Sequence, residues 1–227
     1  MRILFCNIAW MDYYKGKVDG LDEPENGGSF VDKYKEAHES YNFSPEYLDA
    51  NIDYPEGEYC LGFVETKSTN GATRNHLKIE SIDGCEALKK EKQVEDVLVI
   101  YCALYPNPEK SETYVVGWYR HATVFREYQI MDFTMDDGNH YYQSYNAIAK
   151  KEDCVLLPRS VRRRSNIWRV YRKSKGVSFG FGQANVWFAN GRKENKELDS
   201  FLNRIVKQIE EYDGDNWIDM SVDGRRG

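Results

Sequence analysis

Short runs rich in Val, Ile, Tyr and Phe recur along this chain, each closed by residues that turn the backbone. They fall at Arg2–Ile8, Tyr59–Thr66, His76–Ile82, Asp96–Ala103, Thr113–Tyr119, Ala122–Ile130 and Cys154–Leu157. Asn70-Gly71, Asp83-Gly84 and Pro106-Asn107-Pro108 punctuate them. Such runs have to pair into a sheet, because β-branched and aromatic side chains suit a pleated, half-buried surface. Val115–Arg126, with His121 at its middle, reads as two paired strands or one bent strand. Residues 85–95 read as a short helix. A clearer helix lies near the C-terminus, where Leu198, Phe201, Leu202, Ile205, Val206, Ile209 and Tyr212 repeat at helical spacing. Glu194 and Glu197 sit at its start and Asp213-Gly214 stops it. The pattern predicts an α+β fold: a curved or barrel-like mixed β-sheet with flanking helices, including a C-terminal amphipathic helix. One domain is expected over residues 1–227, with a polar insertion at about 12–58 that lies outside the core as a lid or recognition loop.

The 227 residues are 41% hydrophobic and 30% charged, a balance that supports a folded core. No apolar run approaches the ~20 residues needed to cross a bilayer. The opening Met1-Arg2-Ile3-Leu4-Phe5-Cys6 lacks the features of a signal peptide, so a cytoplasmic protein without a membrane partner is expected. The five cysteines are scattered and form no CxxC pair, which predicts buried reduced thiols. The four histidines are equally dispersed; neither a metal nor another cofactor is expected.

Charge is unevenly spread. Between Cys154 and Lys193 there is no Asp or Glu, yet the stretch holds Arg159, Arg162, Arg163, Arg164, Arg169, Arg172, Lys173, Lys175, Arg192 and Lys193. The remainder carries 21 basic against 37 acidic residues. A local basic footprint on an acidic body suits a phosphate-binding surface, because the body repels polyanions that the footprint holds. The Arg excess favours bidentate phosphate contacts. These observations point to nucleic acid.

Three segments set rings beside Gly and hydrogen-bonding side chains: Asn7–Tyr14, Val116–Arg126 and Ser178–Phe188. A pocket for a flat base needs ring faces to stack on and a few polar groups to read its edge, and these segments carry both. The same rings also suit the core of a β-rich protein. Gly176–Gly182 does not make a P-loop, since no Gly-Lys-Ser/Thr follows. Neither GxSxG nor HExxH occurs. A second reading starts from Glu65-Thr66-Lys67 at the end of a strand-like run, the Glu-x-Lys ending of a metal-dependent nuclease. There Asp53 and Glu65 hold Mg²⁺ and Lys67 orients the attacking water.

Arg2–Trp10 with Met11 and Gly16, Gly27-Gly28-Ser29-Phe30-Val31, Glu39 with Tyr41-Asn42-Phe43, Gly62-Phe63-Val64, Val115–Glu127 and Gly180–Trp187 together resemble an N-terminal domain of bacterial restriction-type proteins. Such a domain is often joined to an HNH nuclease, and is similar to the EVE, YTH and SRA domains of the PUA-like superfamily. The resemblance implies a barrel-like sheet that takes a methylated or otherwise modified base into an aromatic pocket. The expected partner is double-stranded DNA carrying a modified base. No HNH signature occurs in these residues, so cleavage is expected in another segment or in a partner nuclease, and no catalytic residue is assigned. On this reading Trp10, Trp118, Tyr119 and Trp187 wall the pocket, while Asn7, Arg120, Gln183 and Asn185 read the base edge. Arg159, Arg162, Arg163, Arg164, Arg169, Arg172, Lys173 and Lys175 hold the DNA backbone. The Arg162–Arg164 triplet is expected at the surface. An RNA-binding PUA-like module is the third reading.

Overall fold

The computed structural model describes residues 1–34, 36–50, 54–66, 68–69, 73–74, 76–107, 109–134, 138–173 and 176–222, with backbone alone at 29, 30, 32, 68, 69, 73, 74 and 165. In chain order the elements are β1 (Arg2–Ile8), α1 (Ser29–Tyr34), β2 (Pro45–Leu48), β3 (Gly57–Gly62), β4 (Ser68–Thr69), β5 (Thr73–Arg74), β6 (Gln93–Leu104), β7 (Thr113–Thr134), β8 (His140–Lys150), β9 (Cys154–Leu156), α2 (Arg159–Arg162), β10 (Arg169–Val170), β11 (Val186–Trp187) and α3 (Lys196–Glu210). The main sheet runs β11-β1-β6-β7-β8-β3-β2, with β9 and β10 also paired to β7. β1 and β6 are parallel, from Arg2 opposite Val97 to Ile8 opposite Ala103. The pairings of β1 with β11 and of β6 with β7 are antiparallel. This is an open, mixed sheet with few helices, of α+β character.

The continuous apolar run Ile3-Leu4-Phe5-Cys6 follows from burial on both faces of β1. Leu4, Cys6 and Ile8 join one core with Val97, Val99 and Tyr101 of β6. Ile3 and Phe5 join a second core with Leu98 and Ile100. The second core is closed by α3, which buries Leu198, Phe201, Leu202, Ile205 and Ile209. Each such side chain removed from water contributes about 1.5–3 kcal/mol. Asn195 starts α3, its side chain accepting from the N–H groups of Glu197 and Leu198, each at 3.1 Å. Among the described residues no long helix lies over the first core; Met11, Tyr14, Phe43, Leu77, Ile79 and Ile82 from connecting segments cover it. A third, smaller cluster of Leu48, Tyr59, Leu61, Phe125, Tyr145 and Ile148 lies around β3 and β8.

The span 113–134 is one long strand with a bend. Asp96 and His121 both adopt left-handed backbone conformations, φ 56° and 49°, and their side chains pair at 2.8 Å. The β6–β7 register slips there and again between Tyr101 and Cys102. The second slip is a bulge beside Gly117, where an added Cβ would lie 2.4 Å from the Val155 carbonyl oxygen and 2.5 Å from the Phe43 ring.

Three expectations are corrected. His76–Ile82 is not a strand but a loop with a single 3₁₀ turn at Ile79–Ser81, its apolar residues buried without a ladder. Residues 85–95 form turns that lead into β6 at Gln93. The stretch 12–58 is not merely a peripheral insertion: Tyr14 and Phe43 are fully buried, and β2 pairs with β3. All five cysteines are buried and unbridged. No helix among the described residues is long and apolar enough to cross a membrane.

Candidate functional site

The carboxyl end of β1 is where the chain converges. Asn7 donates its N–H to the Asn185 carbonyl at 2.7 Å, which brings the loop before β11 to this end of the sheet. Beyond β1, Asp22 accepts from the N–H groups of Asp12, Tyr13 and Tyr14 at 2.6, 2.9 and 3.1 Å. The Tyr14 hydroxyl donates to the Ala9 carbonyl at 2.7 Å, so the turn after the strand is fixed. At Gly27 an added Cβ would lie 2.3 Å from the Val31 side chain, and only Gly lets α1 approach so closely. On the other side, Phe63 and Val64 extend β3 under the grip of two amides. Asn42 bonds both the N–H and the carbonyl of Phe63, at 2.8 and 2.9 Å. Asn146 does the same for Val64, at 3.1 and 2.9 Å.

Between these segments lies a hollow of about 30 Å³, lined by Asn7, Ile8, Gly27, Val31, Ala37, His38, Glu39, Phe63, Glu65 and Asn185. Phe63 stacks on Tyr128 at 5.0 Å with 16° between planes, and the His38 ring lies 5.2 Å from it. Glu39 accepts the Ala9 N–H at 3.0 Å. Burial pushes its carboxyl above the ordinary range, the Ala9 and its own N–H groups pull it back, and nearby Glu65 adds to the rise. No cation is among the groups that shift it. A desolvated carboxylate without a counter-ion destabilises a fold, and that cost marks candidate functional groups. At this size the hollow admits a water or the edge of a ligand, not a whole ring.

The basic stretch runs past the same end of the sheet, with its members put to different uses. Arg172 donates to Asn7 Oδ1 and to Thr113 Oγ1, each at 3.1 Å, joining the hollow to the start of β7. Arg163 is exposed, its guanidinium 3.6 Å from the Tyr105 ring centre. Arg164 and Lys173 are exposed as well. Arg159 pairs with Asp12 at 3.0 Å and Arg169 with Glu112 at 3.4 Å, so acids from distant segments neutralise part of a stretch that carries none. Arg162 corrects the expectation of a surface triplet. It is 0% exposed and donates to the carbonyls of Leu157, Met11 and Asp12 at 2.9, 2.5 and 2.6 Å. The Trp10 and Tyr14 rings lie 5.3 and 5.9 Å from its guanidinium. Lys175, together with Asp53 and Lys67 of the nuclease reading, lies outside the described residues.

The four rings expected to wall one pocket are not brought together. Trp10 is buried against Tyr105, edge to face at 5.0 Å. Trp118 and Tyr119, neighbours on β7, point to opposite faces of the pleated strand. Trp118 stacks on Trp168 at 5.4 Å in the core under α3, whereas Tyr119 sits in the other core and donates to the Asn42 carbonyl. Trp187 is half-buried and stacks on Phe5 at 4.6 Å. Arg120 is level with the middle of β6 and the start of β1, four to five residues below Asn7, roughly 15 Å along the strands. There it lines a different hollow with Asp96, Leu98, His121 and Ile209, and its Nε is buried without a hydrogen-bond partner among the described residues. Gln183 is exposed on the loop before β11. Of the predicted edge readers, the structure therefore unites Asn7 and Asn185. Glu39, His38 and Phe63 join them; the family resemblance includes Glu39 and Phe63 but gives neither a role.

No group of three or more His, Cys, Asp or Glu among the described residues is placed to hold a metal ion. No protein-family model, curated protein or solved structure matches the chain.

Proposed function

We propose that the chain is a reader of double-stranded DNA carrying a modified base, serving as the recognition module of a restriction or defence system whose nuclease is another segment or subunit. The sheet and α3 are taken as a PUA-like body whose amphipathic C-terminal helix stiffens the strands. The observation that carries the reading is the hollow at the end of β1. There Asn7, Asn185 and Glu39, which no cation among the described residues neutralises, meet beside Phe63, one hydrogen bond away from Arg172 of the basic stretch. Base recognition needs polar groups aimed at an edge, and phosphate contacts nearby to fix register. In this arrangement Arg163, Arg164 and Lys173 engage phosphates, and Arg172 keeps Asn7 oriented.

The test is a binding screen of the whole chain over duplexes that differ only in one central base modification. One modified duplex is expected to bind at least about tenfold tighter than its unmodified twin, matching the roughly 1–3 kcal/mol that one extra methyl in a pocket supplies. Equal affinity for every duplex overturns the reading, as does tighter binding to unmodified RNA. Mg²⁺-dependent cleavage of plasmid that disappears in Glu65→Ala would install the nuclease reading in its place.

A further inference from the structure

Arg120 lies far from the end of β1, in a setting of its own. The β6–β7 register pairs Tyr119 with Val99 and Ala122 with Val97, so Arg120 and His121 together stand against Leu98. Two residues against one make a bulge, which breaks the alternation of the pleat and re-aims the side chains at it. Both Arg120 and His121 line one hollow of about 360 Å³, closed by Leu98 and by Val206 and Ile209 of α3. His121 and Asp96 shape the bulge with left-handed backbones, φ 49° and 56°. Strain of this kind in residues other than Gly clusters at ligand sites.

The charges around this hollow do not cancel at Arg120. Asp96 is engaged by His121 at 2.8 Å. Glu210, exposed on the last turn of α3, lines the rim but forms no ion pair with Arg120. Among the described residues Arg120 has no hydrogen-bond or ion-pair partner, and its Nε is buried. A buried donor left unpaired is costly, and a carboxylate is the partner whose two oxygens match the guanidinium fork. Leu98, Val206, Ile209 and the exposed Met1 offer apolar surface to the rest of such a ligand. At ~30 Å³ for each water-sized group, the hollow has room for about ten non-hydrogen atoms. We propose that it binds a small amphipathic carboxylate, the head on Arg120 and the apolar chain against Leu98, Val206 and Ile209. The site is separate from the hollow at the end of β1, and the proposal does not rest on the base-reader function.

The experiment titrates the whole chain with octanoate, 1-octanol and octylamine, which share one apolar chain and differ in the charge of the head. Calorimetry reads the affinities and thermal melts read the stability. Wild type is expected to bind octanoate at least about tenfold tighter than either of the others. Arg120→Gln removes the charge and should bring octanoate down to the level of 1-octanol without lowering the melting temperature. Val206→Trp fills the hollow from a half-buried wall and should abolish binding of octanoate with Arg120 still in place. Octylamine binding as tightly as octanoate would show that Asp96 and Glu210 set the sign of the site, and the proposal fails. It fails equally if octanoate binds no better than 1-octanol, or if none of the three binds. If Arg120→Gln lowers the melting temperature and keeps the full preference for octanoate, the guanidinium serves the carboxyl end of α3 instead, and the proposal is overturned. Should that variant not fold, the wild-type comparison and Val206→Trp decide: octanoate binding that survives Val206→Trp places the carboxylate outside the hollow.

Discussion

The rings on the two faces of the sheet and the groups at the end of β1 use the same residue types to opposite ends. On the faces, Trp118, Trp168 and Tyr212 pack together under α3, and Tyr101, Tyr119 and Phe43 pack together on the other side. These contacts bury area and hold the strands. At the sheet end, Phe63 and Tyr128 stack as well, but beside a carboxylate that no cation among the described residues neutralises and two amides with hydrogen-bonding capacity left over. A ring in the first setting is explained by packing. The second setting carries a stability cost that packing does not explain, and that the proposed ligand would. Arginine divides in the same way within one triplet, Arg162 being part of the core and Arg163 and Arg164 part of the surface.

That division is most easily broken at Arg162. Replacing it with Ala removes three donors from buried carbonyls and leaves a cavity between Trp10 and Tyr14, an expected loss of about 3–5 kcal/mol. For a chain of this size the melting temperature should fall by roughly 6–20 °C. Trp118→Ala belongs with it, at about 3–5 kcal/mol, and should weaken binding to all duplexes equally as folded protein is lost. Thermal melts of both variants provide the check; a stable Arg162→Ala protein would put its guanidinium at the surface after all.

The surface members should do the reverse. Arg163→Ala with Arg164→Ala is expected to cost less than about 1 kcal/mol of stability, most of it from removing the guanidinium that lies over the Tyr105 ring. Affinity should fall alike for modified and unmodified duplexes. The salt dependence should flatten by about one unit for each phosphate that is no longer neutralised. Titrations at several salt concentrations measure this. An unchanged slope would remove the basic stretch from the DNA-binding surface.

The sheet was legible where side chains face two cores. Ile3-Leu4-Phe5-Cys6 and Val97–Ala103 are apolar at every position because both faces of β1 and β6 are covered, and the helical spacing of Leu198–Ile209 marks the face that α3 buries. His76–Ile82 misled because burial alone resembles alternation: Leu77, Ile79 and Ile82 reach the core from a loop held by turns. The site was half legible. Asn7 and Asn185 stood beside strands with rings around them, which is a local signal. Glu39 follows a 3₁₀ start in a polar stretch, and only the fold shows that its carboxylate is enclosed. The charge stretch read as a single footprint because Asp12 and Glu112, which pair with Arg159 and Arg169, lie far away in sequence.

The smallest predicted effect tests the cost itself. Burial raises the Glu39 carboxyl above its ordinary range, so the folded chain holds that proton more tightly than the unfolded chain does. Its contribution to stability is therefore fully present below the ordinary carboxylate range and is lost as pH rises through the raised value. At neutral pH the wild-type chain carries this penalty, and Glu39→Gln does not. The variant should be the more stable of the two at pH 7, by about 1 kcal/mol or less on the scale of single-site changes. The advantage should shrink on acidification and vanish below the ordinary carboxylate range, where both side chains are neutral. Denaturant melts of the two proteins from pH 4 to pH 8 give the comparison. If Glu39→Gln is instead less stable at pH 7, and the gap does not change with pH, the carboxylate is holding the turn at Ala9 together as an ordinary structural acceptor, and the polar end of the sheet obeys the same packing logic as its two faces.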